Sequence, residues 1–328
     1  MPLDLLVCDL LPLPRSPENP IRLPAIERWL ARADSSRSKP SNAVGWLAHA
    51  FGQPSPAPVA AVALVGEGAS AGGAWLRADP VHLRVEQDAV LLHDPAVLDL
   101  DDAEAEALVS TLNDHFRGDA LEFSAKAPDR WYVSLPVEES PTTVTLDDAL
   151  GRNVFGMLPR GGGRINWPSA LTEVQMLFAA HDVNRRRESE GRPLVNSVWF
   201  WGAGVAAAVA RPYARVHTNE PYARGLAMLS GADAAAVPAA IDELGDGRES
   251  VLVVLDGLTA PRRSGDQRAW QALARSIDTR WFSAMPEALA RFRRVRVLLP
   301  TGGDTLVATL TPGARWRWWR TAKPLANA

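Results

Sequence analysis

Apolar positions along the chain change their spacing several times, and each change marks an element. The run around 5–8 (Leu-Leu-Val-Cys) reads as a first β-strand, and "LPAIERWLARA" places Ile26, Trp29 and Leu30 at helical spacing. "SSRSKPSN" reads as a loop, and "AVGWLAHAFG" as a second helix stopped by Gly52. Residues 53–73 are rich in Pro, Gly, Ala and Ser and predict a connection holding one short apolar segment. "AWLRADPVHLRVEQDAVLLHDP" predicts a β-hairpin turning at 86–88. "LDLDDAEAEALVSTLNDHF" follows, with acids in its first turn and Ala107, Leu108, Leu112 and Phe116 on one helical face. "ALEFSA" and "RWYVSLP" add two strands, so a compact α+β unit is expected over 74–136.

Beyond it, "SALTEVQMLFAAHDVNRRRESEG" predicts one long helix, with Ser169 at its N-cap and Gly191 closing it. Strands "VNSVWFW", "ARVHT", "SVLVVLD" and "VRVLLP" then alternate with helices at 220–229, 237–244 and within 267–292. Such alternation implies parallel pairing in a layered α/β sheet, closed by a hairpin in "VRVLLPTGGDTLVATLTP". No internal repeat is visible.

Composition narrows the function classes. The 328 residues are 47% hydrophobic, enough for a large core and two domains. A net charge of −3 gives no overall field favouring nucleic acid or an anionic membrane. The single cysteine, Cys8, forms no intrachain disulfide and fits a reducing compartment, so a cytoplasmic protein is expected. The start "MPLDLLVCDLLPLPR" lacks the basic start and small-residue cleavage site of a signal peptide, and no run of about 20 apolar residues predicts a membrane span. "PRGGGR" at 159–164 has neither a preceding strand nor a following Lys-Ser/Thr, so it is read as a flexible connection and not a phosphate loop.

The stretch "HDVNRRRESEGRPLVNSVWFWGAG" at 181–204 is the most specific signal. A helix ending His-x-Val-Asn-x-x-Arg, a Gly-containing break and Asn-Ser-x-Trp-x-Trp-Gly resemble a segment of archaeal-type cofactor-independent phosphoglycerate mutases of the alkaline phosphatase superfamily. "SNAVGWLAHAFGQP" resembles the nucleophile-bearing segment of that family, and "WLRADPVHLRVEQDAVLLHD" the first hairpin of its inserted domain. A closer likeness is to RpfE-type regulatory proteins of proteobacteria. The resemblance implies an alkaline-phosphatase-like layered α/β domain (1–73 and 137–328) carrying a small inserted α+β domain (74–136). It also implies a serine nucleophile and two Mn²⁺-type ions that clamp the attacking and leaving oxygens.

Residue by residue, that chemistry is poorly supplied. Asp9 stands where the first metal-binding acid is implied, but Leu10 and Leu11 follow it. Ser41 or Asn42 falls at the nucleophile's place, and Trp46 at that of a neighbouring histidine. Asp256 and Asp304 end strands at the edge where α/β sheets build their sites, yet no histidine follows either. The six histidines lack metal-motif spacing. Arg185, Arg186 and Arg187 are candidates for a substrate anion, with exposed Arg–Glu ion pairs four apart on the helix as the alternative. "WGAG" is a weak candidate phosphate cradle. Trp316, Trp318 and Trp319, interleaved with arginines, are read as indoles covering the sheet, or as a partner surface if exposed.

These readings predict a non-catalytic regulatory or interaction protein with the dinuclear site lost and no cofactor. A protein partner is possible, with no membrane role and nucleic acid disfavoured. The rival is a phosphotransferase or phosphatase using Mn²⁺ or Mg²⁺ at Asp9, Asp256 and Asp304 with Ser41 as nucleophile.

Overall fold

The computed structural model describes residues 1–11, 21–40, 42–70, 72–136, 139, 141–322 and 324–325. In chain order its elements are β1 (Pro2–Val7), α1 (Pro24–Arg32), β2 (Asp34–Ser38), α2 (Ala43–Ala50), α3 (Val59–Gly66), β3 (Ala74–Val85), β4 (Val90–His93), α4 (Asp102–His115), β5 (Glu122–Ala127), β6 (Arg130–Leu135), α5 (Leu146–Ala149), α6 (Trp167–Ala179), α7 (Asp182–Ser189) and β7 (Ser197–Val205). There follow β8 (Arg215–His217), α8 (Pro221–Ser230), β9 (Asp233–Ala235), β10 (Val251–Leu255), α9 (Thr259–Arg263), α10 (Gln267–Ile277), α11 (Met285–Arg291), β11 (Arg294–Pro300) and β12 (Thr305–Leu310). The chain divides into two compact units, Met1–Gln53 with Ala208–Ala328, and Pro54–Ala207.

The first unit is built on a seven-stranded sheet in the order β2-β12-β11-β1-β10-β8-β9. β1 lies parallel to β10 and β11, β8 to β10 and β9, while β12 and β2 pair antiparallel. This is the α/β sheet and closing hairpin that the alternation predicts. β1 and β10 are buried along nearly their whole length, as expected of strands covered on both faces. The charged residue among them is Asp4, fully buried and opposite Arg296, which donates from Nε to its Oδ1 at 2.7 Å. The Tyr213 hydroxyl completes that cluster. Helix α1 starts on Pro24 without a local cap; the buried Asp278 carboxylate accepts instead from Ala25 N–H (3.2 Å) and Ile26 N–H (2.7 Å).

In the second unit β3 pairs with β4, β6 and β7, and β6 with β5, all antiparallel. Residues 74–136 form the expected strand pair, helix and strand pair. The compact unit containing them reaches from 54 to 207, because β7 joins their sheet and α6 joins their core through Val174 and Phe178. β7 therefore runs antiparallel to β3 and not, as read from sequence, in the parallel sheet. Helix α4 begins with a capping box: Asp101 accepts from Glu104 N–H at 2.7 Å while Glu104 accepts from Asp101 N–H.

Four segments depart from their sequence patterns. The expected loop at 35–42 holds β2, an exposed strand paired with β12. The expected connection holds α3, buried almost throughout. The helix expected at 237–244 shrinks to a 3-10 turn at Ile241–Glu243, after the short strand β9. The long helix divides at Ala180, where the His181 ring Nδ1 accepts from Val183 N–H and starts α7; Asn166, not Ser169, caps α6.

Candidate functional site

The carboxyl edge of the first sheet collects the acids that the sequence singled out. Val7 is in register with Leu255, so Asp9 and Asp256 follow neighbouring strands β1 and β10, whose backbones lie about 4.8 Å apart. Asp304 sits in the turn joining β11 to β12 at the same edge. β2 also ends there, because Ser38 pairs with Thr305. Ser41 lies outside the described residues. Its neighbours are fixed by that strand end: Pro40 C=O accepts from Thr305 Oγ1 at 2.6 Å, and Asn42 caps α2 by accepting from Gly45 N–H at 2.8 Å. Trp46 is buried in α2.

Each acid has its own surroundings. Asp9 adopts a left-handed backbone, and its Oδ2 accepts from Thr259 Oγ1 at 2.6 Å while its carbonyl accepts from Trp270 Nε1 at 3.1 Å. Burial pushes the Asp256 carboxyl above the ordinary carboxylate range. Asp304 moves the other way: the Thr301 hydroxyl, 2.8 Å from Oδ1, and then Arg37, at 3.0 Å, hold it below that range. Lys39 binds the adjacent Gly303 carbonyl, and burial lowers the half-buried Arg262 guanidinium beside Asp9.

This donor set does not fit a pair of divalent ions. Among the described residues, no three His, Cys, Asp or Glu side chains gather as a metal cluster. The edge instead interleaves acids with Arg37, Lys39 and Arg262, whose positive charges oppose a bound cation. Four of the six histidines have other partners: His82 with Leu194 C=O (2.8 Å), His115 with Glu173 (2.7 Å), His181 with Thr111 (3.0 Å) and His217 with Ala236 C=O (3.0 Å).

Arg185 and Arg186 lie in the second unit, whereas Asp9, Asp256 and Asp304 belong to the first. Arg185 binds Asp182 and the Ala180 carbonyl, an exposed helical ion pair, three apart where the alternative has four. Arg187, the arginine that closes the His-x-Val-Asn-x-x-Arg motif and the third of the candidates for an anion, is fully buried and taken up inside the unit. Its Nε donates to Pro193 C=O at 2.8 Å, one terminal nitrogen to Glu104 at 2.7 Å and the other to Leu98 C=O. Asn184 and Asn196 satisfy backbone groups at the junction. Asn184 serves Phe178 and Val195, and Asn196 serves both polar groups of Leu83.

The glycines of "WGAG" answer a packing need. A Cβ at Gly204 would stand 2.6 Å from Pro58 Cβ, and one at Gly202 3.0 Å from Val59 Cβ, so both let β7 lie against α3. Trp201 donates from Nε1 to the buried Asp79 at 2.7 Å, and Arg77, paired with Asp79 at 2.6 Å, lies over the Trp201 and Tyr132 rings. The "PRGGGR" loop is an anion cradle filled from within. Gly161, Gly162 and Gly163 all take positive φ, and Glu139 Oε1 accepts from the N–H groups of Arg164 and, at 3.0 Å, Ile165. Sequence gave no pointer to Glu139, because 25 residues separate it from Arg164.

The terminal indoles do not cover the sheet. Trp316, Trp318 and Trp319 are 64%, 74% and 63% exposed. Arginines hold their segment instead: Arg317 binds both Asp34 oxygens (2.7 and 2.9 Å), and Arg320 donates to Ala33 C=O at 2.9 Å.

No family model matches the chain. It is 25% identical over 195 residues to a probable 2,3-bisphosphoglycerate-independent phosphoglycerate mutase of Geobacter sulfurreducens, covering 56% of this chain and 48% of the relative. It is 34% identical over 64 residues to a 2,3-bisphosphoglycerate-independent phosphoglycerate mutase of Methanothrix thermoacetophila, covering 20% and 16%. The match thus spans about half the length of the first relative and less of the second. Among solved structures, a cofactor-independent phosphoglycerate mutase from Thermoplasma acidophilum superposes with a TM-score of 0.49 at 16% identity, over 99% of this chain and 94% of that one. No described helix is long and apolar enough to cross a membrane. By these similarities the chain has a phosphoglycerate-mutase-like ancestry, of the cofactor-independent kind.

Proposed function

We propose that the chain acts as a non-catalytic regulatory or interaction protein in the cytoplasm, descended from a mutase-like ancestor whose dinuclear metal site it no longer maintains. The observation that carries this reading is the state of Asp304. Its carboxylate is taken by Thr301 and Arg37, so at the place of an implied metal ligand a guanidinium already supplies the positive charge. The regulatory role accords with the RpfE-type resemblance, and the exposed Trp316, Trp318 and Trp319 supply a surface for a protein partner. Neither a membrane nor nucleic acid is required, and no cofactor is used.

The second reading, a phosphotransferase or phosphatase, draws support from Asp9 and Asp256 flanking one sheet edge. Purified chain is to be assayed with phosphoglycerate and Mn²⁺ or Mg²⁺. Background turnover and no metal-dependent rise in Tm are expected. Turnover that disappears in Ser41→Ala and in Asp256→Asn would establish the enzyme and end the non-catalytic reading.

A further inference from the structure

Three indoles exposed within four residues are unusual, because large apolar side chains on a soluble surface are normally scattered singly. Trp318 and Trp319 meet edge to face, 6.1 Å between centroids. Their backbone is fastened by Arg317 on Asp34 and the Arg32 carbonyl, by Arg320 on the Ala33 carbonyl, and by Arg32 on the Arg315 carbonyl. A surface held in this way loses little freedom when a partner arrives. Beside Trp319 lies a groove of about 500 Å³ whose walls include Leu30, Leu306, Trp319, Arg320, Pro324 and Leu325. That volume falls within the range of pockets that bury a drug-sized ligand.

The charge around the groove is one-sided. Arg22, Arg32, Arg315, Arg317 and Arg320 stand against two acids, Glu27 and Asp34, and both acids are already engaged. Glu27 is held by Arg22 and by the N–H of Leu325, Asp34 by Arg317 and Arg320. The Arg315 guanidinium lies over the exposed Trp316 ring, 5.2 Å from its centroid.

We propose that this groove and the three indoles form a docking surface for an acidic peptide segment of a partner protein. One apolar side chain of that segment anchors in the groove, and its flanking carboxylates meet Arg315 and Arg320. The inference rests on the interaction-protein reading and names its partner's chemistry. A concave groove of this volume favours an inserted peptide anchor over a flat bilayer. The net charge of −3 on the whole chain opposes attraction to polyanionic nucleic acid outside this patch.

The test pans a display library of random dodecapeptides on the immobilised full chain, with the Trp319→Ala and Arg315→Glu chains as counter-targets. Enriched peptides should be net acidic around one Leu, Ile, Phe or Trp. As dye-labelled peptides in anisotropy titrations, they should bind at least tenfold more weakly to either variant, and more weakly in 500 mM than in 50 mM salt. Variant Tm values check that the fold is retained. Enrichment of neutral or basic peptides, or none that depends on Trp319, overturns the proposal. So does binding by vesicles of phosphatidylcholine with phosphatidylserine, or by oligo-dT, that is lost in Trp319→Ala without any acidic peptide competing. A dimer abolished by Trp319→Ala would reassign the face to a second copy of this chain. Metal-dependent turnover refutes only the non-catalytic reading, whereas failure of peptide selection without turnover refutes only the docking proposal.

Discussion

Replacing Asn184 by Ala tests the junction between α7 and β7 at its most committed residue. Asn184 is 3% exposed, and its amide makes three hydrogen bonds: Nδ2 donates to Phe178 C=O (2.8 Å) and Val195 C=O (2.7 Å), and Oδ1 accepts from Val195 N–H (3.0 Å). The Phe178 carbonyl keeps a second donor, His181 N–H at 3.1 Å. The loss therefore falls on the two polar groups of Val195, a fully buried residue. An orphaned buried group costs about 1–3 kcal/mol, so Asn184→Ala should destabilise the second unit by roughly 3 kcal/mol, allowing for some relaxation. Asn196 makes a similar pair of bonds to Leu83 but is partly exposed, and water can replace it. Asn196→Ala should cost only about 1 kcal/mol. Asn184→Asp should be at least as harmful as Ala, because it sets a carboxylate against two carbonyl oxygens. Urea unfolding followed by circular dichroism gives the global loss. Amide exchange at Val195 reads the unit directly, where about 3 kcal/mol corresponds to a fall in protection of roughly a hundredfold. If Asn184→Ala costs under about 1 kcal/mol, or no more than Asn196→Ala, the junction is not held as described.

Asp278→Ala should uncap α1 from a distance, costing about 1–2 kcal/mol in urea unfolding, with faster amide exchange at Ala25 and Ile26; unchanged exchange there would refute the cap. Gly247→Ala places a Cβ 2.2 Å from the Arg291 carbonyl oxygen at a φ of +78°, so it should cost more than about 3 kcal/mol or abolish soluble expression; a near-native Tm would contradict the close approach. Asp256 has a folded pKa raised by burial, so its titration favours the fold at low pH and loses that contribution as pH rises through the folded value. Asp256→Asn should therefore raise Tm at pH 7 and lose this advantage below about pH 4, near the unfolded carboxylate value; lower stability than the parent at pH 7 would reverse the sign. Asp304 has the opposite shift, so its contribution is present above about pH 4 and lost as pH falls through the folded value; Asp304→Asn should lower Tm slightly at pH 7 and less at pH 2.5, and equal effects at both pH values would refute the assignment.

What could be read in the sequence was what local chemistry specifies. The start of α4 is announced by Asp101 and Glu104, which cap each other within one turn, and the hairpin β3–β4 by its alternation on both sides of 86–88. β2 was illegible because Asp-Ser-Ser-Arg-Ser has neither β-branched residues nor an apolar face. It is a strand only through backbone pairing with β12, about 270 residues away. α3 hid for the opposite reason: Val-Ala-Ala-Val-Ala-Leu-Val-Gly is buried nearly all round and leaves no polar stripe to give a period. The same blindness touched the candidate site. Asp9 and Asp256 could be placed because parallel strands carry their acids to a common edge, but the engagement of Asp304 by Arg37 depends on β2 and could not be foreseen.

The interior of the segment at 181–204 explains why a resemblance read there says more about construction than about chemistry. Asn184, Asn196 and Arg187 spend their hydrogen bonds on this chain's own backbone and on Glu104, Trp201 binds Asp79, and Gly202 and Gly204 make room for α3. Polar residues whose capacity is consumed inside a fold have little left for a phosphate or a metal, and each would be costly to replace whether or not the protein retained an activity. Selection for stability alone would therefore preserve this stretch, whereas Asp9 and Asp304 at the sheet edge bond to hydroxyls and a guanidinium. Judgement of activity accordingly belongs to that edge, where Asp304 with Arg37 and the raised carboxyl of Asp256 are open to direct titration.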